Sequence, residues 1–167
     1  MKALRWCVVA AILLFATRLI SVSLATGAEH APLHWRGGGI VREAGISMRY
    51  PAGWHAARLD GSIAVASFAP SGSWLAAERR SVPEGGVFIW AFTYGRLPHS
   101  SDSLFPLRAE RLQLDPTTLA FYECGLRLDG YMIRFREHGR AIQAEVALGA
   151  GADRSAALAV LNRLRVS

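Results

Sequence analysis

The chain has 167 residues and a formal charge of +6, and Lys2 is its only lysine. Without residues 1–28, which hold Lys2, Arg5 and Arg18 but no acid, 16 arginines stand against 13 acids, a net charge of +3. That balance falls short of a nucleic-acid-binding signature, which needs the charge gathered on one face or stripe. The lack of lysine beyond residue 2 excludes P-loop, Schiff-base and Ser-x-x-Lys chemistry by residue type.

Lys2 and Arg5 precede an apolar run from Cys7 to Ala16, with small residues following at Ser23, Ala25 and Ala28. This is the layout of an export signal, with cleavage after Ala25 or Ala28. Residues 1–28 are thus read as a signal peptide or an N-terminal membrane anchor. Trp6–Ala25 is long enough for a membrane tether, but Arg18 would sit in hydrocarbon at a cost of about 2.5–3.5 kcal/mol near the centre. Cleavage is the expectation, placing the protein as secreted or on the outer face of the cytoplasmic membrane. Leu4-Arg5-Trp6 lack the small pair of a lipoprotein signal, so Cys7 is not a lipid attachment site.

Cleavage leaves Cys124 as the sole cysteine, so no intramolecular disulfide forms. Its apolar context, Leu119 to Cys124, predicts a buried, inert thiol at a strand end. Nothing nearby lowers its pKa for nucleophilic work with His138.

The remaining residues suit one domain with one core. Residues 29–44, with Pro32 and Gly37-Gly38-Gly39, are expected to be a leader or linker, and 45–167 the packed domain. Ile46, Met48 and Tyr50 alternate with Ser47 and Arg49, predicting a half-buried strand stopped by Pro51. Trp54–Leu59 and Ile63–Phe68 follow as strands around an Asp60-Gly61 turn. After Pro83-Glu84-Gly85-Gly86, Val87–Tyr94 is apolar on both faces, which predicts a central strand covered on both sides by helices or loops. Residues 95–118, with Pro98, Pro106 and Pro116, are expected to form an irregular excursion or surface flap.

A two-residue turn at His138-Gly139 pairs Phe135 with Ile142, Ile133 with Ala144, and Tyr131 with Val146 on one face. The other face pairs Arg134 with Gln143 and Met132 with Glu145, and reads as polar and wet. Asp153 is the expected N-cap of a closing helix of about 12 residues, with Ala157, Val160, Leu161 and Leu164 as its apolar stripe. Arg163 and Arg165 would complement the helix dipole.

Ile46 to Trp54, with its Tyr50-Pro51-Ala52-Gly53-Trp54 segment, resembles the opening strand of PsbP-like domains, and Ala156 to Val166 resembles their closing helix. The chain is also similar to small exported bacterial proteins around Phe105 to Arg108, Tyr122 to Cys124 and Phe135 to Arg140. The resemblance implies an α+β fold: a curved antiparallel sheet flanked by helices, with the C-terminal helix packed on it. It implies no common active site, since such domains mostly bind other proteins.

No nucleophile elbow, zincin motif, Cys-x-x-Cys or dinucleotide fingerprint is present. His30 and His34 have metal-ligand spacing beside Glu29, but Pro32 lies between them, so a disordered leader is expected rather than a metal site. His55 and His99 lack a local carboxylate partner. No catalytic, cofactor or metal residue is assigned.

Two functions fit. One is a non-catalytic interaction module that uses Arg134, Arg136 and Arg140, or the 95–118 flap, to dock an unknown protein or an anionic surface outside the membrane. A solvated strand face accounts for the same arginines. The other is a small hydrolase or hydrophobic-ligand carrier with a pocket between sheet and flap, lined by Trp54, Trp74 or Trp90.

Overall fold

The computed structural model describes residues 33–71, 74, 82–95, 104–114, 122–123, 126–127 and 130–167. Residues 1–28, Glu29, His30, His99 and Cys124 lie outside the described residues.

The expected α+β fold with flanking helices is not what forms. The described residues are mainly β, in two antiparallel sheets, and one short helix is delineated among them. The first sheet has the order β1-β2-β10, from Gly39–Glu43 (β1), Ile46–Tyr50 (β2) and Leu164–Val166 (β10). The second has the order β3-β4-β5-β9-β8, from His55–Leu59 (β3), Ser62–Ala66 (β4), Val87–Gly95 (β5), Gly130–Glu137 (β8) and Arg140–Leu148 (β9). A small hairpin joins Tyr122–Glu123 (β6) to Leu126–Arg127 (β7).

The five-stranded sheet follows from its local signals. β5 is central, as its two-sided apolar pattern requires, and Asp60-Gly61 closes the β3–β4 hairpin. The β8–β9 register is the expected one, with Phe135 opposite Ile142, Ile133 opposite Ala144 and Tyr131 opposite Val146. His138 and Gly139 have φ of 50° and 72°, the left-handed pair that a two-residue hairpin turn of matching twist demands.

What covers the inner face of this sheet is the other sheet rather than a layer of helices. Ile63, Val65, Ile89, Ala91, Phe135, Ile142 and Val146 share one buried cluster with Val41, Ile46, Met48, Leu164 and Val166. Helix α1, Arg154–Leu161, adds Ala157, Val160 and Leu161 to that cluster. Asp153 is its N-cap as expected, accepting the Ser155 N–H at 2.8 Å.

The helix is shorter than its apolar stripe suggested. It ends at the C-cap Asn162, and Leu164 enters β10, fully buried opposite Met48. Leu164, Arg165 and Val166 alternate buried, exposed, buried, which is the period of a strand. Arg163 and Arg165 therefore lie past the helix, and its last turn holds no basic residue.

The packed domain also begins before residue 45. Gly39–Glu43 pairs along the whole of β2, and the Ala52 N–H donates to the His34 carbonyl at 2.8 Å. The glycines here serve close approach: a Cβ on Gly38 would collide with the Tyr50 carbonyl, and one on Gly39 with the Tyr50 ring. The described part of the 95–118 excursion is likewise fastened. Arg136 N–H donates to the Pro106 carbonyl at 2.8 Å, Arg108 N–H to the Arg136 carbonyl at 3.1 Å, and Leu112 and Leu114 are buried in the core.

Candidate functional site

The three arginines singled out from sequence do not form one surface. Arg134 and Arg136 share a face of β8, but Arg140 lies opposite Glu137 and so falls on the face of Phe135. Arg140 donates from Nη1 to the Ala44 carbonyl at 3.0 Å, bracing a turn in which Ala44 itself has φ of 48°. Its role is to hold that left-handed turn, which a side chain with a Cβ resists.

Nor is the outer face of β8 and β9 wet. Gln143 is 3% exposed and Glu145 7%. Trp90, Phe92 and Tyr94 project from β5 on this side in a row of ring contacts at 4.7 and 5.2 Å, and Tyr94 meets Phe105 edge-on at 5.3 Å. Beneath them Gln143 accepts from Arg134 Nε at 2.8 Å and from the Tyr94 hydroxyl at 3.1 Å, and donates to Glu145. Arg134 also sits over the Phe105 ring. Its guanidinium is thus engaged in a part-buried network, where satisfied polar groups rigidify the sheet.

The tryptophans divide in the same way. Trp54 packs on the main core, whereas Trp74 and Trp90 pack with Phe88 and Ala147 on the outer side of the five-stranded sheet. The three do not line one pocket. Among the described residues no group of three or more His, Cys, Asp or Glu is gathered that could hold a metal ion, and no helix is long and apolar enough to cross a membrane.

The cationic surface lies on the other sheet. In β1, β2 and β10 the inward positions are Val41, Ile46, Met48, Leu164 and Val166, and the outward ones Ile40, Arg42, Ser47, Arg49 and Arg165. Register sets Arg42 and Arg165 on either side of Ser47, and Ile40 beside Arg49. Strands about 4.8 Å apart therefore place the Arg42 and Arg165 backbones roughly 10 Å from each other.

Trp35 joins this face. The Arg163 guanidinium stacks 3.9 Å from its ring centre, and that of Arg49 lies 6.0 Å away. Two cations over one indole are held by the negative ring face. Arg165 is positioned by its Nη1, which donates to the Asn162 and Leu164 carbonyls at 2.8 and 2.9 Å. The surface thus presents Arg42, Arg49, Arg163 and Arg165 with the half-buried Trp35 and the half-exposed Ile40, and none of the outward strand positions is a carboxylate.

Alternation of Arg49 with Met48 was visible in the sequence, but Arg42 joins it through the pairing of β1 with β2, and Arg163 and Arg165 through that of β10 with β2. The signal available for the rest was Arg165 set between the apolar Leu164 and Val166.

Compared with known proteins, the chain matches no protein-family model and no curated protein. Nothing found identifies the chain as PsbP-like, and the 156–166 segment that resembles the closing helix of such domains is helical only to Leu161 before entering β10.

Proposed function

We propose that the chain is an exported, non-catalytic binding module that engages an anionic surface outside the cytoplasmic membrane through the outer face of its three-stranded sheet. One observation carries this reading: Arg42, Arg49 and Arg165 point outward from the three strands and Arg163 lies with Arg49 over Trp35, on a face whose outward strand positions hold no acid. A face that served solubility alone would mix both signs of charge, because like charges held together repel. Arginine also suits the task, since its planar fork pairs with carboxylate or phosphate in two-point contacts. Export supplies the setting, and the sequence layout of residues 1–28 supports it.

The test is binding of the protein to an immobilised acidic polysaccharide and to vesicles containing an anionic phospholipid, measured across salt concentrations. Retention that weakens as salt rises, and that is lost in an Arg42→Glu/Arg49→Glu variant with unchanged folding, is the expected result. Binding that the double reversal leaves intact would show that another surface is used.

A further inference from the structure

We infer that the cleft beside β10 is a subsite for an acidic sugar unit, that is, a hydroxylated ring bearing a carboxylate or phosphate group. The inference deepens the proposed function and rests on it for the anionic character of the partner. The cleft has a volume of about 620 Å³ and lies between the 107–110 segment, the β8–β9 turn and the α1–β10 junction. Its lining includes Arg108, Arg136, Arg165, His138, Glu110 and Leu107.

The walls are fixed before any ligand arrives. Arg108 Nη1 donates to Glu137 at 2.8 Å and to the Leu164 carbonyl at 2.9 Å, tying the 107–110 segment to both sheets. Asn162 accepts the Leu112 N–H at 2.8 Å and returns a bond to the Leu112 carbonyl at 3.2 Å. His138 Nδ1 lies 3.0 Å from the Val166 carbonyl. A carbonyl only accepts, so Nδ1 carries the hydrogen and the ring is held against β10. Side chains locked in this way bind with less loss of freedom than mobile surface arginines.

The chemistry of the lining is mixed, and the mixture selects the ligand. Arg165 is exposed yet held by two carbonyls through Nη1 alone, which leaves the rest of its donor fork to an oxyanion. Glu110 and Glu137 supply acceptors, which the several hydroxyls of a sugar can meet more fully than the one or two of inorganic phosphate. Leu107, 73% exposed on the cleft wall, offers an apolar surface to the carbon face of such a ring. Arg165 belongs both to the cleft and to the arginine face, so a chain of acidic sugars seated in one continues onto the other.

The test is an NMR titration of the full chain with glucuronate, glucose 6-phosphate, glucose and inorganic phosphate. An acidic sugar should bind at least about tenfold more tightly than glucose or inorganic phosphate, a gap of about 1.4 kcal/mol. Shifts should centre on Leu107, Glu110, His138 and Arg165. Preference for glucuronate identifies a carboxylate partner, and preference for glucose 6-phosphate a phosphate one. Glu110→Gln and Leu107→Ala, both at exposed positions, should each weaken binding about threefold to tenfold, while Arg58→Ala, exposed on β3 away from both cleft and arginine face, should change it less than about twofold. Inorganic phosphate binding as well as glucose 6-phosphate would overturn the inference. So would acidic sugars failing to bind while the protein still binds the acidic polysaccharide, a result that leaves the arginine face standing. Loss of polysaccharide binding in the wild type removes both readings.

Discussion

Replacing Arg49 by Glu separates binding from stability on the arginine face. A cation close to an anionic surface contributes about 1 kcal/mol. Reversing its sign removes that attraction and adds a repulsion of similar size, so about 2 kcal/mol, or roughly 30-fold in affinity, should be lost. The effect on folding is different. Arg49 and Arg163 lie within 6.0 Å of the same ring centre, Arg163 being the closer at 3.9 Å. At a separation of at most about 10 Å two like charges in water repel by ~0.4 kcal/mol, and Glu at 49 turns this into attraction. The lost cation–π contact, distant and exposed, is worth about 0.5 kcal/mol. Stability should therefore stay within about 0.5 kcal/mol of the wild type. Binding isotherms on acidic polysaccharide, paired with urea unfolding of the same samples, read both quantities. Affinity within a factor of two of the wild type would refute the assignment of this face. A large loss of stability would refute the view that Arg49 is placed there at no structural benefit.

Three further substitutions test the framework that carries the face. Leu164→Ala should cost about 2–5 kcal/mol in urea unfolding, because Leu164 is fully buried between β2 and the core; a cost below about 1 kcal/mol would fit a fraying helix end instead. Asn162→Ala strips Leu112 of both its side-chain partners and should cost about 1–3 kcal/mol. Faster proteolysis within residues 104–111 would accompany it, and an unchanged digestion pattern would argue that Asn162 does not anchor the segment. Asp153→Ala removes the acceptor of the Ser155 N–H and should lower stability by about 1 kcal/mol, checked by the thermal midpoint; no shift would mean that the cap is redundant.

The elements that the sequence disclosed are those fixed by neighbours. His138-Gly139 forces the pairing of β8 with β9, and the two-sided apolar run of β5 requires a central place. The three-stranded sheet is encoded locally only in part: Ala44-Gly45, with φ of 48° and 78°, makes a two-residue hairpin of β1 and β2, whereas the pairing of β10 with β2 is long-range. Leu164 satisfies a helical stripe and a strand alternation equally, and only Met48, far away in the chain, decides between them. β1 was hidden by Gly37-Gly38-Gly39, whose composition signals a linker but whose glycines make room for Tyr50 and Pro51. With that sheet unseen, the layer over the inner face reads as helices, which is why the α+β expectation fails. The arginine face needs the long-range pairing of β10 with β2 as well as the β1–β2 hairpin. Arg140 is a different case: a two-residue turn sets it opposite Glu137, so its separation from Arg134 and Arg136 was already implied by the expected register. The wet character assigned to Arg134 failed because aromatic residues of β5 and Phe105 close over Gln143 and Glu145.

The outer face of the three-stranded sheet is proposed to meet an anionic partner. The most direct measurement follows the side-chain Nε–H signals of Arg42, Arg49, Arg163 and Arg165, and the Trp35 indole N–H, during titration of the isotope-labelled protein with acidic polysaccharide. These five signals should move together and saturate at one concentration, while Arg134 Nε–H, bonded to Gln143, stays in place. Movement of Arg134 with the four face arginines and Trp35 unchanged would contradict the proposal.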